Sequence, residues 1–223
     1  MSHPLDRPVW AALSTRQRDF ALGDAHALRF DPTIGLFAAA ADAEPASLTV
    51  LAALAPAEGV IGLVETQLPP LPGLRIVKRA ACVQMLAAAA IPPADIAFDT
   101  LGDGDAADML ELATLTEPGP FFARTHELGD FIGIRHEGQL VAMAGERMKA
   151  PGYTEVSGVC TRPGFRGRGY AAGLMAEVAA RIAARGETPF LHAYADHAAT
   201  IALYERLGFR VRTMVTYALA ARA

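Results

Sequence analysis

The chain has 223 residues, 52% of them hydrophobic, a formal net charge of −4 and a pI near 5.9, which is apolar material enough for one large domain or two small ones. A mildly acidic balance excludes an extended nucleic-acid-binding surface, which needs clustered Lys and Arg, and two cysteines, Cys82 and Cys160, are too few for a disulfide framework and fit a reducing compartment. The opening MSHPLDRPVW lacks the charged-then-apolar order of a signal peptide and no apolar run approaches the roughly 18 residues of a membrane span, so a cytoplasmic chain without a membrane partner is expected.

In chain order, Pro8 to Leu22 is expected to form a first helix. Gly59 to Thr66 and Leu74 to Ala81 read as strands separated by the breaker Leu68-Pro69-Pro70-Leu71-Pro72-Gly73. The Ala-rich stretches 37–41 and 86–91 carry no clear period, and this half contains no chemical motif. Pro92-Pro93 marks a boundary between an N-terminal α/β region, residues 1–93, and a second domain, residues 94–223. The first region reads either as a packing domain that completes a sheet or as a degenerate copy of the second. From Ile96 the pattern becomes regular. A strand, Ile96 to Leu101, leads through Gly102-Asp103-Gly104 to a helix with Asp105 as N-cap and Met109, Leu112 and Ala113 at helical spacing. Asp130 to Arg135 and Leu140 to Met148 form a hairpin across Glu137-Gly138, and the strand of Glu155 follows. A helix then places Leu174, Val178 and Ile182 on one face, with Glu177 and Arg181 as an outer i,i+4 pair. Phe190 to Ala195 and Val211 to Leu219 are the last strands of an α/β fold with a mixed, mostly antiparallel sheet.

The stretch Glu155 to Ala172 carries the chemistry. A helix that begins on Gly167, Gly169 and Ala171 aims unpaired N–H groups and the positive end of its dipole at whatever lies in front, which suits a phosphate or pyrophosphate. A Walker A loop fails, because Gly169 is followed by Tyr170 and Ala171 rather than Lys and Ser or Thr. The dinucleotide pattern G-x-G-x-x-G/A matches at Gly167, Gly169 and Ala172. Yet Arg162 to Arg166 separate it from the strand, and Glu187, at the right distance, lies before the next strand rather than ending it.

The third reading accounts for more of the chain. Arg166-Gly167-Arg168-Gly169-Tyr170-Ala171 is similar to the Q/R-x-x-G-x-G/A loop of the GCN5-related N-acetyltransferases. Val159-Cys160-Thr161 resembles their splayed, pantetheine-pairing strand, and the run from Ala198 to Phe209 resembles their last helix and its turn. The resemblance covers roughly residues 95 to 219. It implies the family's fold, a mostly antiparallel sheet flanked by helices, here with an N-terminal α/β extension. It also implies acetyl-CoA as co-substrate on Val159, Cys160, Thr161 and the loop Arg166 to Ala172.

Further roles follow from the same resemblance. Glu155 stands where some members of the superfamily, the histone-type enzymes among them, place a strand glutamate as base, and His192 stands where ribosomal-protein N-terminal acetyltransferases place one. The choice between them stays open. Tyr204 matches the tyrosine that protonates the leaving thiolate. His197 replaces an asparagine that touches the cofactor arm, and an imidazole keeps one donor for that contact. Cys160 reads as a small strand residue rather than an acyl-accepting nucleophile, and His3, His26, His126 and His136 show no metal spacing. The expected activity is acetyl or short acyl transfer to an amine of a small molecule, peptide or protein, by direct attack in a ternary complex. A silent acyl-CoA-binding sensor and, more remotely, a nucleotide-binding oxidoreductase are the alternatives.

Overall fold

A computed structural model describes residues 3–223. In chain order the described elements are α1 (Pro8–Leu13), β1 (Ala21–Gly23), β2 (Ala27–Phe30), β3 (Ala38–Ala40), α2 (Pro45–Leu54), β4 (Ile61–Glu65), β5 (Leu74–Ala87), β6 (Asp99–Leu101), α3 (Ala106–Thr116), β7 (Phe131–His136), β8 (Gln139–Ala150), β9 (Tyr153–Thr161), α4 (Tyr170–Ala184), β10 (Thr188–Tyr194), α5 (Ala198–Arg206) and β11 (Phe209–Arg222). Strands β1, β2 and β3 form a small sheet. The other eight form one sheet in the order β4-β11-β5-β10-β9-β8-β7-β6. Its pairs are antiparallel except β9 with β10.

Both faces of the large sheet are covered, as strands with buried residues on each side require. On one face α4 lays Leu174, Val178 and Ile182 against Met85, Val156 and Leu191. Each such side chain, at 4% exposure or less, is worth roughly 1.5–3 kcal/mol of burial. On the other face α1 and the small sheet bring Val9, Leu13 and Phe30 onto Met148 and Phe190. Glu177 and Arg181 pair on the outside of α4 at 2.8 Å. No described helix is long and apolar enough to cross a membrane.

Several expectations shift, each for a tertiary reason. The first helix stops at Leu13 instead of Leu22. Beyond it the buried Gln17 amide donates to Arg147 O at 2.7 Å and accepts from Lys149 N at 3.0 Å, so the chain turns to reach β8 instead of continuing a helix. The strand expected over Leu74 to Ala81 runs on to Ala87 because Cys82 to Leu86 pair with β10 on one side and β11 on the other. Pairing partners on both flanks carry the strand on past Ala80 and Ala81. The strand from Ile96 is confined to Asp99–Leu101. Asp105 occupies the N-cap position of α3 but makes no capping bond there; its oxygens take Gly102 N at 3.0 Å and Arg135 at 2.5 Å. Residues from both sides of Pro92-Pro93 share the large sheet, since β4 and β5 lie beside β11 and β10.

Candidate active site

Two irregularities in the β8·β9 ladder shape the centre of the molecule. Met143 faces Cys160 and Gly145 faces Ser157, so β9 carries one extra residue there. Gly158 absorbs it at φ +64, and a Cβ on it would lie 2.9 Å from the Phe131 ring, so the position requires glycine. Further along, Glu146 faces Val156 and Lys149 faces Thr154, so Arg147 and Met148 together oppose the single residue Glu155. That second bulge turns Arg147 toward Glu155.

The parallel pairing of β9 with β10 ends at Glu155 and Phe190. Beyond that point β10 follows β5, the kinked β9 continues to Thr161 paired with β8 alone, and the two strands part. Arg162 N donates to Val141 O on β8 at 2.8 Å. Alternation along the strand then turns the N–H groups of Thr161 and Val159 toward the gap, and that of Cys160 toward β8. Two cavities open on the gap, and Val159 and Thr200 line both.

The first cavity, about 480 Å³, runs from Val159, Cys160 and Thr161 along Arg166, Gly167 and Gly169 to the start of α4 at Tyr170, Ala171 and Ala172. Gly167 and Gly169 adopt φ +77 and +79, and a Cβ on either would meet nothing within 4 Å. The glycines therefore hold open a concavity in front of the uncapped helix terminus, where several N–H groups lack partners. The buried hydroxyl of Thr161 also lacks one. An extended ligand with an anionic end and amide groups, such as coenzyme A, fits that donor set. Arg166 is fastened through Nε to Thr161 O at 3.2 Å. Arg168 stacks outward over Phe165 at 4.9 Å.

The second cavity, about 300 Å³, gathers side chains from distant parts of the chain, among them Phe37, Glu117, Arg147, His192, Tyr204 and Tyr217. An isolated bridge from Phe37 to Gly62 delivers the first from the small sheet. Glu117 is the C-cap of α3, in the left-handed region at φ 49 and ψ 53, where a residue with a Cβ costs about 1–2 kcal/mol relative to the right-handed well. Its neighbour Thr116 lines the first cavity.

Glu155 and His192 meet, but neither presents a free lone pair to this space. The Glu155 carboxylate, buried to 0% exposure, accepts from Arg147 Nε and Nη2 at 2.8 Å each and from His192 Nδ1 at 2.7 Å. Burial by itself would raise its pKa. The guanidinium charge and the hydrogen bonds from Arg147 and His192 outweigh that and hold the carboxyl at about 2. His192 Nε2 lies 3.0 Å from Gln84 Nε2. The Gln84 amide is oriented by donating to Leu5 O at 2.8 Å and accepting from Arg212 at 2.8 Å. His192 is thus a donor at Nδ1 and an acceptor at Nε2.

Tyr204 lines the second cavity, makes no side-chain hydrogen bond among the described residues, and has its pKa pushed up by burial. His197 is placed on the second cavity, with its side chain 58% exposed. The thiols of Cys160, on the first cavity, and Cys82, on the second, are each pushed up by burial to about 11, so neither is a thiolate nucleophile at neutral pH. Among the described residues no group of three His, Cys, Asp or Glu side chains is placed to hold a metal ion. Sequence reasoning missed Phe37, Arg147, Thr116, Thr200 and Glu117. Only Glu117 left a signal, a helix ending on glutamate before Pro118-Gly119-Pro120.

Comparison with known proteins agrees with this geometry. The FR47-like protein family matches residues 131–218, which span the hairpin, the splayed strand, the glycine loop and most of β11. A crystal structure of a GNAT-family protein from Novosphingobium aromaticivorans is 45% identical to the chain, with all of both chains covered and a TM-score of 0.93. A GCN5-related N-acetyltransferase from Kribbella flavida shares the fold, with 21% identity, 96% of each chain covered and a TM-score of 0.64. So does a GCN5-related N-acetyltransferase-like protein from Streptococcus suis, with 17% identity, 95% and 92% covered and a TM-score of 0.60. No curated protein matches. The chain belongs to the GCN5-related N-acetyltransferase (GNAT) family.

Proposed function

We propose that this chain transfers an acetyl or other short acyl group from a coenzyme A thioester to an amine by direct attack in a ternary complex. The observation that carries this reading is the parting of β9 from β10 between two cavities that meet at Val159 and Thr200. A thioester threaded along β9 has its carbonyl beside the Val159 N–H, which supplies a donor for the developing oxyanion. The amine approaches from the second cavity. Tyr204 gives its hydroxyl proton to the departing sulfur as the carbon–sulfur bond breaks, and recovers one from the nitrogen as the amide forms. A raised phenol pKa keeps that proton in place at neutral pH.

Glu155 and His192 receive positioning roles. A carboxylate held at about 2 is a poor acceptor for a proton from an ammonium, whose pKa is near about 10.4. For His192 to take a proton at Nε2, Gln84 would have to give up two anchored hydrogen bonds. The amine's first proton instead leaves at the mouth, where His197 stands exposed. The test is thiol release from acetyl-CoA against a panel of amines, amino acids and peptides, with thermal protection by coenzyme A and by NAD(P) measured alongside. Amine-dependent release and protection by coenzyme A alone are expected. Protection without release from any acceptor would make the protein an acyl-CoA sensor, and protection by NAD(P) alone would overturn the loop assignment.

A further inference from the structure

Among the described residues the second cavity is lined by one acidic group, Glu117, that makes no ion pair or side-chain hydrogen bond. Resting on the acyl-transfer reading, we propose that Glu117 is the acceptor-binding residue: its carboxylate receives the ammonium of a primary amine whose aromatic or apolar stem lies among Phe37, Tyr194 and Tyr217.

Four observations converge on this assignment. First, Glu117, an exposed residue, lines the second cavity while Thr116, the residue before it, lines the first, so the C-terminal end of α3 borders both cavities. Second, it makes no ion pair or side-chain hydrogen bond among the described residues, whereas the other charged groups of the wall are spent on each other: Arg147 is bound through two nitrogens to both oxygens of Glu155. The formal charge left over on that wall is the −1 of Glu117, and the carboxyl end of α3, the negative end of its dipole, lies at the same point. Third, the position does not favour glutamate as a helix terminator. At φ 49 glycine or asparagine is the usual occupant, and strain of this kind, once observed, points to a use for the side chain. Fourth, the space facing Glu117 is walled by aromatic rings, Phe37 and Tyr194 each 6.3 Å from Tyr217 between centroids. Such rings bury an apolar stem; Arg147 already stands over Phe37 at 4.9 Å and Lys78 over Tyr194 at 5.3 Å, which leaves the ammonium to Glu117. About 300 Å³ suits a single-ring amine rather than a folded chain.

The test compares phenethylamine with 2-phenylethanol, which has the same shape with a neutral hydroxyl in place of the ammonium. Dissociation constants are measured by calorimetry at pH 8, with coenzyme A present, for the parent, Glu117→Gln and Glu117→Gly. Thiol release from acetyl-CoA is followed in parallel. The parent should bind the amine at least tenfold more tightly than the alcohol, and Glu117→Gln should erase that preference while leaving protection by coenzyme A intact. Glu117→Gly should lose the preference equally and melt at a higher temperature than the parent, because glycine adopts the left-handed conformation freely. A residue serving only as a cap would give the stability gain with the preference unchanged. A preference retained in Glu117→Gln, or a parent that binds neither probe or both alike, overturns the proposal. The two readings fail separately: amine preference without thiol release from any acceptor removes acyl transfer and keeps Glu117, whereas equal thiol release by parent and Glu117→Gln keeps acyl transfer and removes Glu117.

Discussion

The two cavities that meet at Val159 and Thr200 are made of different material. The proposed cofactor side is lined mainly by residues 159–172 and is shaped largely by main-chain geometry: a bulge, two left-handed glycines and an uncapped helix terminus. The acceptor side is lined by side chains that reach from Phe37 to Tyr217, held in place by bridges and ion pairs between elements far apart in the chain. A ligand that is always the same can be recognised by backbone from one continuous stretch. A ligand that differs from protein to protein is met by side chains that vary independently of the scaffold. Damage to each side should therefore produce a different signature.

The largest effect is expected on the cofactor side. Gly169→Val places a β-branched side chain at φ +79, in space the phosphates need. It should abolish most of the thermal protection by coenzyme A, and with it turnover, while amine binding at the second cavity persists. Undiminished protection in that variant would detach the loop from the cofactor. Next comes the junction. Tyr204→Phe keeps the ring beside Phe209, 6.4 Å away, and removes the proton. Single-turnover acylation should slow by about 10²-fold, the low end for general-acid catalysis, with coenzyme A affinity unchanged. If the single-turnover rate holds, Tyr204 belongs to the packing alone.

Behind the acceptor wall, Glu155→Gln should slow acylation by about tenfold at every pH from 7 to 10, as expected of a residue that orients others. A deficit that closes as the pH rises toward 10, where free amine becomes abundant, would return Glu155 to the role of base. Stability provides a second readout. Because the folded-state pKa lies below the unfolded one, Glu155 contributes stability above about pH 4.5 that is lost as the pH falls toward about 2. The variant should lose stability at neutral pH, by roughly 3–5 kcal/mol for a buried pair deprived of one partner, and show a flatter acid limb in denaturant titrations.

The same contrast of materials decides what was legible in the sequence. The glycine loop, the strand before it and the helix after it stand together in the chain, and their periodicities and breakers are local, so α4, β9 and the stretch 159–172 of the first cavity could be read directly, whereas Thr116 and Thr200, which come from other elements, could not. The Tyr204 helix was legible only through its resemblance to the family's last helix. Phe37 could not, because it matters only through a bridge to Gly62 and a fold that brings the small sheet over β10. Arg147 could not, because its role depends on a bulge that sets two residues of β8 opposite one of β9. Nothing local in the sequence extends β5 past Ala81; partners on both flanks make Cys82 to Leu86 a strand, and β11 alone pairs Ala87. For α2, the proline at its first position was a start signal, but the apolar residues around it obscured the period.

The last prediction concerns stability and leaves the reaction untouched. The acceptor side has a second buried carboxylate, Glu65, next to the cavity-lining Val64 and 1% exposed. It also has an arginine partner, yet burial pushes its pKa up to about 7, more than Arg7 can offset. The reason is geometric. Arg7 meets Glu65 at 3.0 Å through Nε and only at 3.5 Å through Nη2, its two terminal nitrogens turn to the carbonyls of Ala40 and Ala41, and among the described residues no third donor corresponds to His192. Because the folded-state pKa is raised, the folded protein holds a proton that the unfolded chain has released between about pH 4.5 and 7. Stability therefore falls as the pH rises through that window and stays lower above it. Glu65→Gln keeps an acceptor oxygen for Arg7 and removes the charge. In urea titrations it should be more stable than the parent at pH 8, by up to about 3 kcal/mol, and equal to it at pH 4. A pH-independent difference would mean that Arg7 neutralises Glu65 as fully as Arg147 neutralises Glu155, and the contrast between the two pairs would collapse.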